Sequence, residues 1–516
     1  MAIKTNEQQN QQQAATAMSP LLKTIVQNGP KLVKNKAMVN MAANMGKNFI
    51  IKNGKERLET NPDIAPGIVE DQTALGVAIL ETVKRALTER RLSDATYEKA
   101  GNILGKDLFI EKKQRLEKAD AFKEKFGVTQ PSFLLISPTK ACNLHCTGCY
   151  ADSDERVKSL DWDTVSRIIT EAHDSWGVQF TVVSGGEPMV YRSQGKGLLD
   201  LAEKHQDNYF MFYTNGTLIT DEVAQRMAEL GNIVPMVSLE GWREQTDKRR
   251  GEGVFDKACA TLDRLYEAGV LYGVSLTPTR YNADTLMSEE FMDFIFFEKH
   301  AAVAWMFQYM PIGRSFTLDL MPTPQQRLEM WQQSWRYVRE KGVFIADFWN
   351  SGTAVDGCLS AGGHGNGGYF YIDWNGNVNP CVFVPYSPVN INDIYAQGKT
   401  LDDVFMEPFF QDIRSLQKNL NETTHGKNII NPCPIRDHNP EFLNLVRKHE
   451  PTPSDINAEA ALLDAGYAKG MADYGAAYQE LVDVIWEEVY LKQEWPSNEE
   501  IIETVETLNK AQEPQP

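Results

Sequence analysis

Three cysteines lie close together in the run ACNLHCTGCYAD. Cys142, Cys146 and Cys149 have the spacing C-x3-C-x2-C. Thiolates this close together suit a soft metal centre, although three of them are one short of a closed tetrahedral site. On a 4Fe–4S cluster, three cysteine ligands leave one iron open for an exogenous molecule. The spacing therefore indicates an iron–sulfur centre with an open position.

Two other interpretations of this spacing stay open at this point. A zinc ion held by the three thiols and His145 would have four ligands, although His145 lies inside the tight loop. The cysteines are otherwise reduced structural thiols, since seven cysteines in 516 residues are too few for a disulfide scaffold. Clustered thiols in a cytosolic chain favour metal binding or catalysis over cross-linking.

The elements around this run predict a parallel barrel. Short apolar runs recur at residues 132–137, 178–183, 209–214, 233–239, 271–277 and 304–310, with helical patterns between them. Such strand–helix alternation is typical of βαβ units and a parallel sheet. Six units predict an α/β fold, a partial (β/α)6 barrel with its active site at the C-terminal ends of the strands. The three cysteines directly follow the first predicted strand, which puts them at that end.

The run CNLHCTGCY (142–150) resembles the cluster loop of the radical S-adenosylmethionine (SAM) superfamily. The resemblance implies that Cys142, Cys146 and Cys149 hold a 4Fe–4S cluster and that Tyr150 lies at the cofactor. It implies that SAM binds the open iron and is reductively cleaved to a 5′-deoxyadenosyl radical, which abstracts hydrogen from a substrate. An electron donor such as flavodoxin or ferredoxin is then a partner.

Motifs after the next three strands also resemble this family. SGGEP (184–188) is similar to its GGE motif, in which Gly185 and Gly186 allow a close backbone approach and Glu187 accepts from the SAM amino group. The resemblance gives Asn215 in YTNGT a cofactor contact, and Ser238 in VSLEGW the ribose. Glu240 stands where related enzymes usually have Asp. Arg250 in TDKRRG is expected to bind the SAM carboxylate, the alternative being a solvated surface residue.

A second group of cysteines follows in the C-terminal third. Cys358 and Cys381 flank a predicted β-hairpin with a type I′ turn at Asn375-Gly376, and Cys433 lies further on. The pattern C-x17-G-x4-C resembles the SPASM or twitch extensions of radical SAM enzymes, which hold auxiliary 4Fe–4S clusters. The sequence has too few cysteines for two such clusters, so we expect one. Its fourth ligand is absent or comes from His364, His425, Asp437 or His438, and three structural thiols are the alternative.

Charge separates the N-terminal segment from the rest of the protein. The net charge is −18, yet residues 1–57 carry nine Lys or Arg residues against two Glu. A chain this acidic is a poor nucleic-acid binder. Residues 31–52 combine lysines with an apolar face (Val33, Met38, Met41, Ala42, Met45 and Phe49), which predicts a basic amphipathic helix. This helix either contacts a membrane surface or packs on the barrel. Because no signal peptide or membrane span is visible, we expect a cytoplasmic protein, membrane-peripheral if the helix binds lipid.

These observations predict four regions and one class of chemistry. The regions are a helical N-terminal region (1–130), the radical SAM barrel (131–345), the SPASM- or twitch-like region (346–440) and a C-terminal helical region (441–516). We expect a radical SAM enzyme with an unidentified substrate, lipid-linked in view of the basic arm. The alternatives are a peptide- or porphyrin-modifying enzyme and a non-catalytic iron–sulfur redox or binding protein.

Overall fold

The described part of the N-terminal region consists of four helices, in agreement with the predicted helical character. The computed structural model describes residues 35–89, 92–102, 112–154, 158–363, 367–421 and 427–492. The helices are α1 (Lys36–Thr60), α2 (Pro66–Thr88), α3 (Asp94–Asn102) and α4 (Lys112–Phe126). Asn35 caps α1, because its side chain accepts a hydrogen bond from the Ala37 N–H at 3.0 Å. Pro66 begins α2, where its missing N–H costs no hydrogen bond.

Helix α1 buries a different side from the one that the sequence pattern predicts. Val39 and Ala43 are its buried residues, and a Cβ at Gly46 would lie 3.0 Å from Leu80 on α2. The close fit against α2 selects this side. Met41 and Phe49, on the predicted apolar face, stay 42% and 50% exposed. Residues 31–34 of the predicted amphipathic segment, including Val33, lie outside the described residues.

Seven parallel strands form the barrel sheet in chain order. They are β1 (Leu134–Ile136), β2 (Phe180–Val183), β3 (Tyr209–Thr214), β4 (Ile233–Leu239), β5 (Gly273–Leu276), β6 (Val303–Met306) and β7 (Phe344–Asp347). The first six overlap the predicted apolar runs, which confirms the α/β fold with a partial barrel. Strand β7 adds a seventh parallel strand, paired with β6. The strands are apolar on both faces because helices cover the outside and a cavity occupies the inside.

Helices on the outer face connect these strands. They are α5 (Trp162–Trp176), α6 (Leu198–Lys204), α7 (Asp221–Leu230), α8 (Arg243–Arg250), α9 (Val254–Ala268), α10 (Ala283–Leu286), α11 (Glu289–Asp293) and α12 (Pro324–Glu340). Asp161, Thr220 and Thr323 cap three of them, each accepting from a backbone N–H in the first turn. Because all the crossovers run the same way, the C-terminal ends of the strands meet at one end of the barrel.

The C-terminal region extends the barrel sheet beyond β1. Its strands are β8 (Tyr371–Ile372), β9 (Asn377–Asn379), β10 (Tyr386–Ser387), β11 (Val389–Asn390) and β12 (Thr452–Pro453). Its helices are α13 (Ile391–Ala396), α14 (Pro408–Asn421), α15 (Asn439–His449), α16 (Ile456–Leu463) and α17 (Ala465–Ile485). Strand β8 pairs in parallel with β1 and antiparallel with β9, so the region is continuous with the wall of the barrel.

The β8–β9 hairpin is confirmed, but its turn differs from the predicted type I′. Such a turn requires positive φ at both central residues, whereas only Gly376 of the Asn375-Gly376 pair has one, at +85°. The Gly376 N–H donates to the Asp373 carbonyl at 3.0 Å. The Asp373 carboxylate also accepts from the Asn375 and Asn377 N–H groups at 2.8 and 2.9 Å. The acidic side chain therefore holds a longer turn in which only the glycine is left-handed.

A buried carboxylate joins the three parts of the fold. Asp71 on α2 is fully buried and accepts hydrogen bonds from Thr353 at 2.6 Å, from Tyr490 at 2.5 Å and from Arg339 on α12.

None of the helices in the described ranges combines the length and the apolar character needed to cross a bilayer.

Candidate active site

One cavity inside the barrel collects nearly all the residues that the sequence assigns to the first cluster and to SAM. It has a volume of about 420 Å³ and reaches the C-terminal ends of the strands. Only Glu240 of that set does not line it. The residues that do are Cys142, Cys146, Cys149, Tyr150, Gly185, Gly186, Glu187, Asn215, Ser238 and Arg250.

The three cysteines lie on a loop after β1. A glycine within the loop and a neighbouring aromatic ring determine its conformation. Gly148, between Cys146 and Cys149, has a φ of +64°. A Cβ at this position would lie 2.7 Å from the Tyr309 ring. Both the backbone conformation and the contact therefore require glycine here. His145 is exposed, so the structure does not turn this candidate zinc ligand toward the buried cavity.

Arg314 holds the cysteine loop from the far side of the barrel, and the sequence analysis did not identify it. Its guanidinium donates to the Cys146 carbonyl at 2.6 Å and to the Ser153 carbonyl. Its backbone N–H donates to the Cys149 carbonyl at 3.0 Å. The signal for it is the Gly-Arg pair after the sixth strand, because polar residues at the C-terminal ends of barrel strands commonly serve the active site.

Tyr150 links the cysteine loop to the loop after β2. Its hydroxyl lies 2.6 Å from the Ser184 hydroxyl and accepts from the Gly185 N–H at 2.9 Å. A Cβ at Gly186 would lie 2.0 Å from the Ala141 carbonyl oxygen. The two glycines are predicted from the sequence to allow the close approach of a ligand. The structure shows that the close approach is to the backbone of the cysteine loop.

Glu187 is fully buried at the end of β2 and connects it to β3. Its carboxylate accepts from the Met189 N–H at 3.0 Å, the Thr214 hydroxyl at 2.9 Å and the Asn215 N–H at 2.8 Å. Burial raises the pKa of Glu187, and these three donors oppose that rise by stabilising the carboxylate. The side chain is therefore held in one position at the edge of the cavity.

Asn215 and Ser238 follow from the ends of the next two strands. The Asn215 side chain donates to the Asn143 side chain at 2.9 Å, so it connects β3 to the cysteine loop. Ser238 is buried near the end of β4 and lines the cavity. Both lie where the sequence predicts, and their contacts with a cofactor stay predictions.

Two arginines share one carboxylate beside the cysteine loop. Glu240 Oε1 accepts from Arg249 at 2.6 Å and from Arg250 at 2.7 Å, while its Oε2 is buried and has no hydrogen-bond partner among the described residues. The Arg250 side chain is only 11% exposed, so the alternative of a solvated surface residue is wrong. Burial by itself lowers the pKa of a guanidinium, but the Glu240 carboxylate outweighs it and raises the pKa of Arg250. The group stays positively charged at the edge of the cavity.

The Cys142 thiol must lose a proton before it binds metal. Burial raises the pKa of the Cys142 thiol to about 12, so metal binding at this position displaces a proton. Across the described ranges, no three His, Cys, Asp or Glu side chains lie close enough together to hold a single metal ion. A cubane cluster is wider than one ion, so its thiolates stand further apart than those around zinc.

The three remaining C-terminal cysteines also come together. Cys358, Cys381 and Cys433 line a small cavity of about 20 Å³, next to the first. Of the proposed fourth ligands, Asp437 is ion-paired with the buried Arg327, and the His438 ring lies 3.0 Å from the Asn431 carbonyl. His364 and His425 lie outside the described residues. The hairpin thus brings Cys358 and Cys381 together as predicted, and α15 begins just after the loop that brings Cys433.

An aromatic wall separates the two cavities. Phe348 and Phe383 line both of them. Tyr369 lines the first cavity, and its hydroxyl lies 2.9 Å from the Cys381 sulfur. These three residues were not predicted from the sequence: Phe348 directly follows β7, and Tyr369 and Phe383 flank the β8–β9 hairpin, with no motif that marks them.

Comparison with known proteins gives the same assignment as the motifs. Residues 136–295 match the model of the radical SAM superfamily. The mycofactocin maturase MftC of Mycolicibacterium smegmatis is 32% identical over 286 residues, which are 54% of this chain and 69% of that protein. The AdoMet-dependent heme synthase of Methanosarcina barkeri is 26% identical over 51% of this chain and 80% of that protein. Among solved structures, Streptococcus suis SuiB bound to its precursor peptide SuiA is similar over 67% of this chain and 84% of that one, with 18% identity and a TM-score of 0.48. The chain therefore belongs to the radical SAM superfamily, whose enzymes use a 4Fe–4S cluster and SAM.

Proposed function

We propose that this enzyme cleaves SAM reductively at a 4Fe–4S cluster held by Cys142, Cys146 and Cys149, and abstracts hydrogen from an apolar substrate in the barrel. The observation that carries the proposal is the single cavity of about 420 Å³, lined by all three thiols and by the residues expected to bind SAM. When bound, the cluster and SAM supply a 5′-deoxyadenosyl radical, the species that removes the hydrogen atom.

The polar side chains of the cavity fit the groups of SAM. Three cysteines leave one iron of the cluster open. Arg250 offers a buried positive charge to the SAM carboxylate, and the Glu240 carboxylate beneath it fixes its orientation. Glu187, held by its three donors, presents a carboxylate to the SAM amino group. Ser238 serves the ribose from the end of β4.

The rest of the cavity excludes water from the reaction. Tyr213, Trp305 and Phe307 contribute large aromatic rings to the lining of the cavity. A radical formed in such a site reacts with the bound substrate, because no solvent molecule competes for it. Gln308, one of several polar residues in the lining, is fully buried, and its Oε1 has no hydrogen-bond partner among the described residues. It is an acceptor available to a donor on the substrate.

Cys358, Cys381 and Cys433 hold a second 4Fe–4S cluster in this proposal. The support is that three thiols from separate loops line one cavity behind the aromatic wall. At about 20 Å³, this cavity has room for about one water molecule, so cluster insertion requires the three thiol-bearing loops to move apart. Asp437 and His438 become ligands only if they leave their present partners.

The substrate is lipid-linked in the leading version of the proposal. The apolar cavity supports it, as do the exposed Met41 and Phe49 on the basic helix α1, which would bring the enzyme to a membrane surface. The names of its relatives, a mycofactocin maturase and a heme synthase, favour a peptide- or porphyrin-modifying enzyme instead. A non-catalytic iron–sulfur protein is the remaining alternative. Flavodoxin or ferredoxin is the proposed electron donor.

The assay that tests the proposal is anaerobic incubation of the full chain with SAM and dithionite, followed by quantification of 5′-deoxyadenosine. The Cys146→Ala variant should form none, because the cluster cannot lose one of three ligands. Cys259→Ala is the matched control: this cysteine lies on α9, away from both cysteine groups, and the variant should match the wild type. Cleavage that persists in Cys146→Ala, or is absent from the iron-loaded wild type, would overturn the proposal.

A further inference from the structure

A second large cavity lies at the opposite end of the barrel from the cysteine loop. Its volume is about 650 Å³, and the strands contribute Phe180, Tyr209 and Val234 to its lining from their N-terminal ends. Leu271, which precedes β5, lines it too. Among the described residues that line this cavity, none carries a charge. Nothing in the proposed reaction of SAM uses this space.

Phe180 lies between the two cavities and lines both of them. Its side chain faces the inside of the barrel with Val182, two residues along β2, because alternate residues of a strand share a face. Although it is the first residue of a barrel strand, Phe180 is 37% exposed. A large apolar ring that keeps this much surface and lines both cavities has space on both sides.

The path between the cavities is apolar and long. Below the polar groups at the strand ends, the first cavity is lined by Leu135, Val182 and Met211. Asn215, directly after the cofactor end of β3, lies six steps along the chain from Tyr209 at the other end, which corresponds to about 20 Å along a strand. One leaflet of a bilayer, half of a hydrocarbon core of about 30 Å, is about 15 Å deep. The barrel is therefore as long as a typical acyl chain.

We infer that an extended alkyl chain of the substrate runs down the barrel axis, past Phe180, into the second cavity. This inference rests on the proposed function, since it places the substrate in the same barrel as SAM. An alkyl chain needs no hydrogen-bond partners along this path. A peptide backbone or the carboxylates of a porphyrin would lose their hydration without compensation between Leu135, Val182 and Met211, although Gln130 and Gln179 add polar groups to the second cavity. Met211, with a flexible thioether, and Phe180 adjust to let the chain through.

The test measures binding without SAM or reductant, so that it is independent of SAM cleavage. Saturated fatty acids of 8 to 18 carbons compete with a dansyl-labelled undecanoic acid on the full-length protein. Affinity should increase about fourfold for each methylene that is buried. This increase should continue for acids that are longer than the first cavity accommodates. Phe180→Trp should weaken binding of the 16-carbon acid at least tenfold and change that of the 8-carbon acid less than twofold. Phe297→Trp, at a ring that is 44% exposed elsewhere, is the matched control and should leave both unchanged.

The inference would be overturned if affinity did not increase with chain length, or if the Phe180 and Phe297 variants bound the fatty acids equally well. If Phe180→Trp fails to fold, photolabelling of the wild type replaces it. Palmitate with a diazirine at its terminal carbon should label residues of the second cavity, such as Val234 and Leu271. Labelling confined to the outer surface or to the first cavity would contradict the inference, whatever the result of the SAM-cleavage assay.

Discussion

The Tyr369 hydroxyl lies 2.9 Å from the Cys381 sulfur, so a residue that lines the barrel cavity touches a thiol of the second cysteine group. Both residues are buried. A cluster on Cys381 would therefore be electronically close to a substrate in the barrel. The hydroxyl is placed to donate a hydrogen bond to the ligating sulfur, which is one of the ways in which a protein adjusts a cluster's potential.

Tyr369→Phe should lower the reduction potential of the second cluster and leave that of the first unchanged. Loss of a hydrogen bond to the sulfur destabilises the more negative, reduced state. The expected shift is on the order of 60 mV, which corresponds to about 1.4 kcal/mol in a one-electron couple. Redox titration followed by electron paramagnetic resonance measures both potentials. Tyr371→Phe, two residues further along the chain, is the matched control, and an identical potential in Tyr369→Phe and wild type would rule out the hydrogen bond.

Iron content should divide equally between the two cysteine groups. We expect about eight irons per chain in the reconstituted wild type, four for each cubane. Replacing Cys142, Cys146 and Cys149 together by Ala should leave about four, and so should replacing Cys358, Cys381 and Cys433. Colorimetric iron and sulfide analysis gives the counts. A wild-type value near four, unchanged by the second triple substitution, would identify the C-terminal cysteines as structural thiols.

The parts of the site that were predictable are local in sequence. The cysteine loop, the Gly-Gly-Glu turn and the strand ends are short runs whose spacing alone carries the chemistry, and each follows an apolar run that forms a strand. The contacts between distant segments were not predictable. Arg314 reaches Cys146 across 168 residues. The contact of Tyr369 with Cys381 follows from the pairing of β8 with β9, but the predicted hairpin by itself assigns no role to Tyr369. Helix α1 shows the same limit, since the fit of Gly46 against Leu80 on α2 decides which side is buried.

Arg314→Ala should weaken the first site specifically. The guanidinium holds the carbonyls of Cys146 and Ser153, and hydrogen bonds from a charged donor contribute about 1.5–3 kcal/mol each. We expect 5′-deoxyadenosine formation to fall at least tenfold, with partial rescue by Arg314→Lys, while iron on the second group is retained. Arg226→Ala, which removes a half-exposed ion pair with Asp200, is the matched control. Equal activity in the two alanine variants would mean that the loop keeps its shape without Arg314.

His205 should make the free energy of unfolding depend on pH in the mildly acidic range. Burial, with Lys204 nearby, lowers the pKa of His205 from 6.5 to about 4, and its ring lies 2.9 Å from the Ser166 hydroxyl. Because the unfolded chain binds the proton more readily, the stability that neutral His205 contributes is fully present above pH 6.5. It is lost as the pH falls from 6.5 towards 4. The Tm of the His205→Gln variant should therefore fall by about 2 °C less over this pH interval than the Tm of the wild type. Parallel Tm profiles measured by differential scanning fluorimetry would contradict this prediction.

The basic helix α1 should bind anionic membranes through the side that α2 leaves uncovered. Met41 and Phe49 are about half exposed there, and the helix carries Lys36 and Lys47. Each lysine near an anionic surface contributes about 1 kcal/mol, to which insertion of the two apolar side chains adds. Co-sedimentation with phosphatidylserine vesicles should show binding that weakens with salt and that falls at least tenfold in the Met41→Ser/Phe49→Ser variant.

Phe297→Ser removes an equally exposed ring elsewhere and should bind vesicles like the wild type. This control distinguishes a specific membrane contact of α1 from nonspecific binding of vesicles by exposed apolar side chains. If the full-length protein stays in the supernatant at low salt, helix α1 serves only to pack on α2. The barrel would then have to receive its alkyl chain from a soluble carrier or a free amphiphile, because the enzyme itself would have no means of reaching a chain within a bilayer.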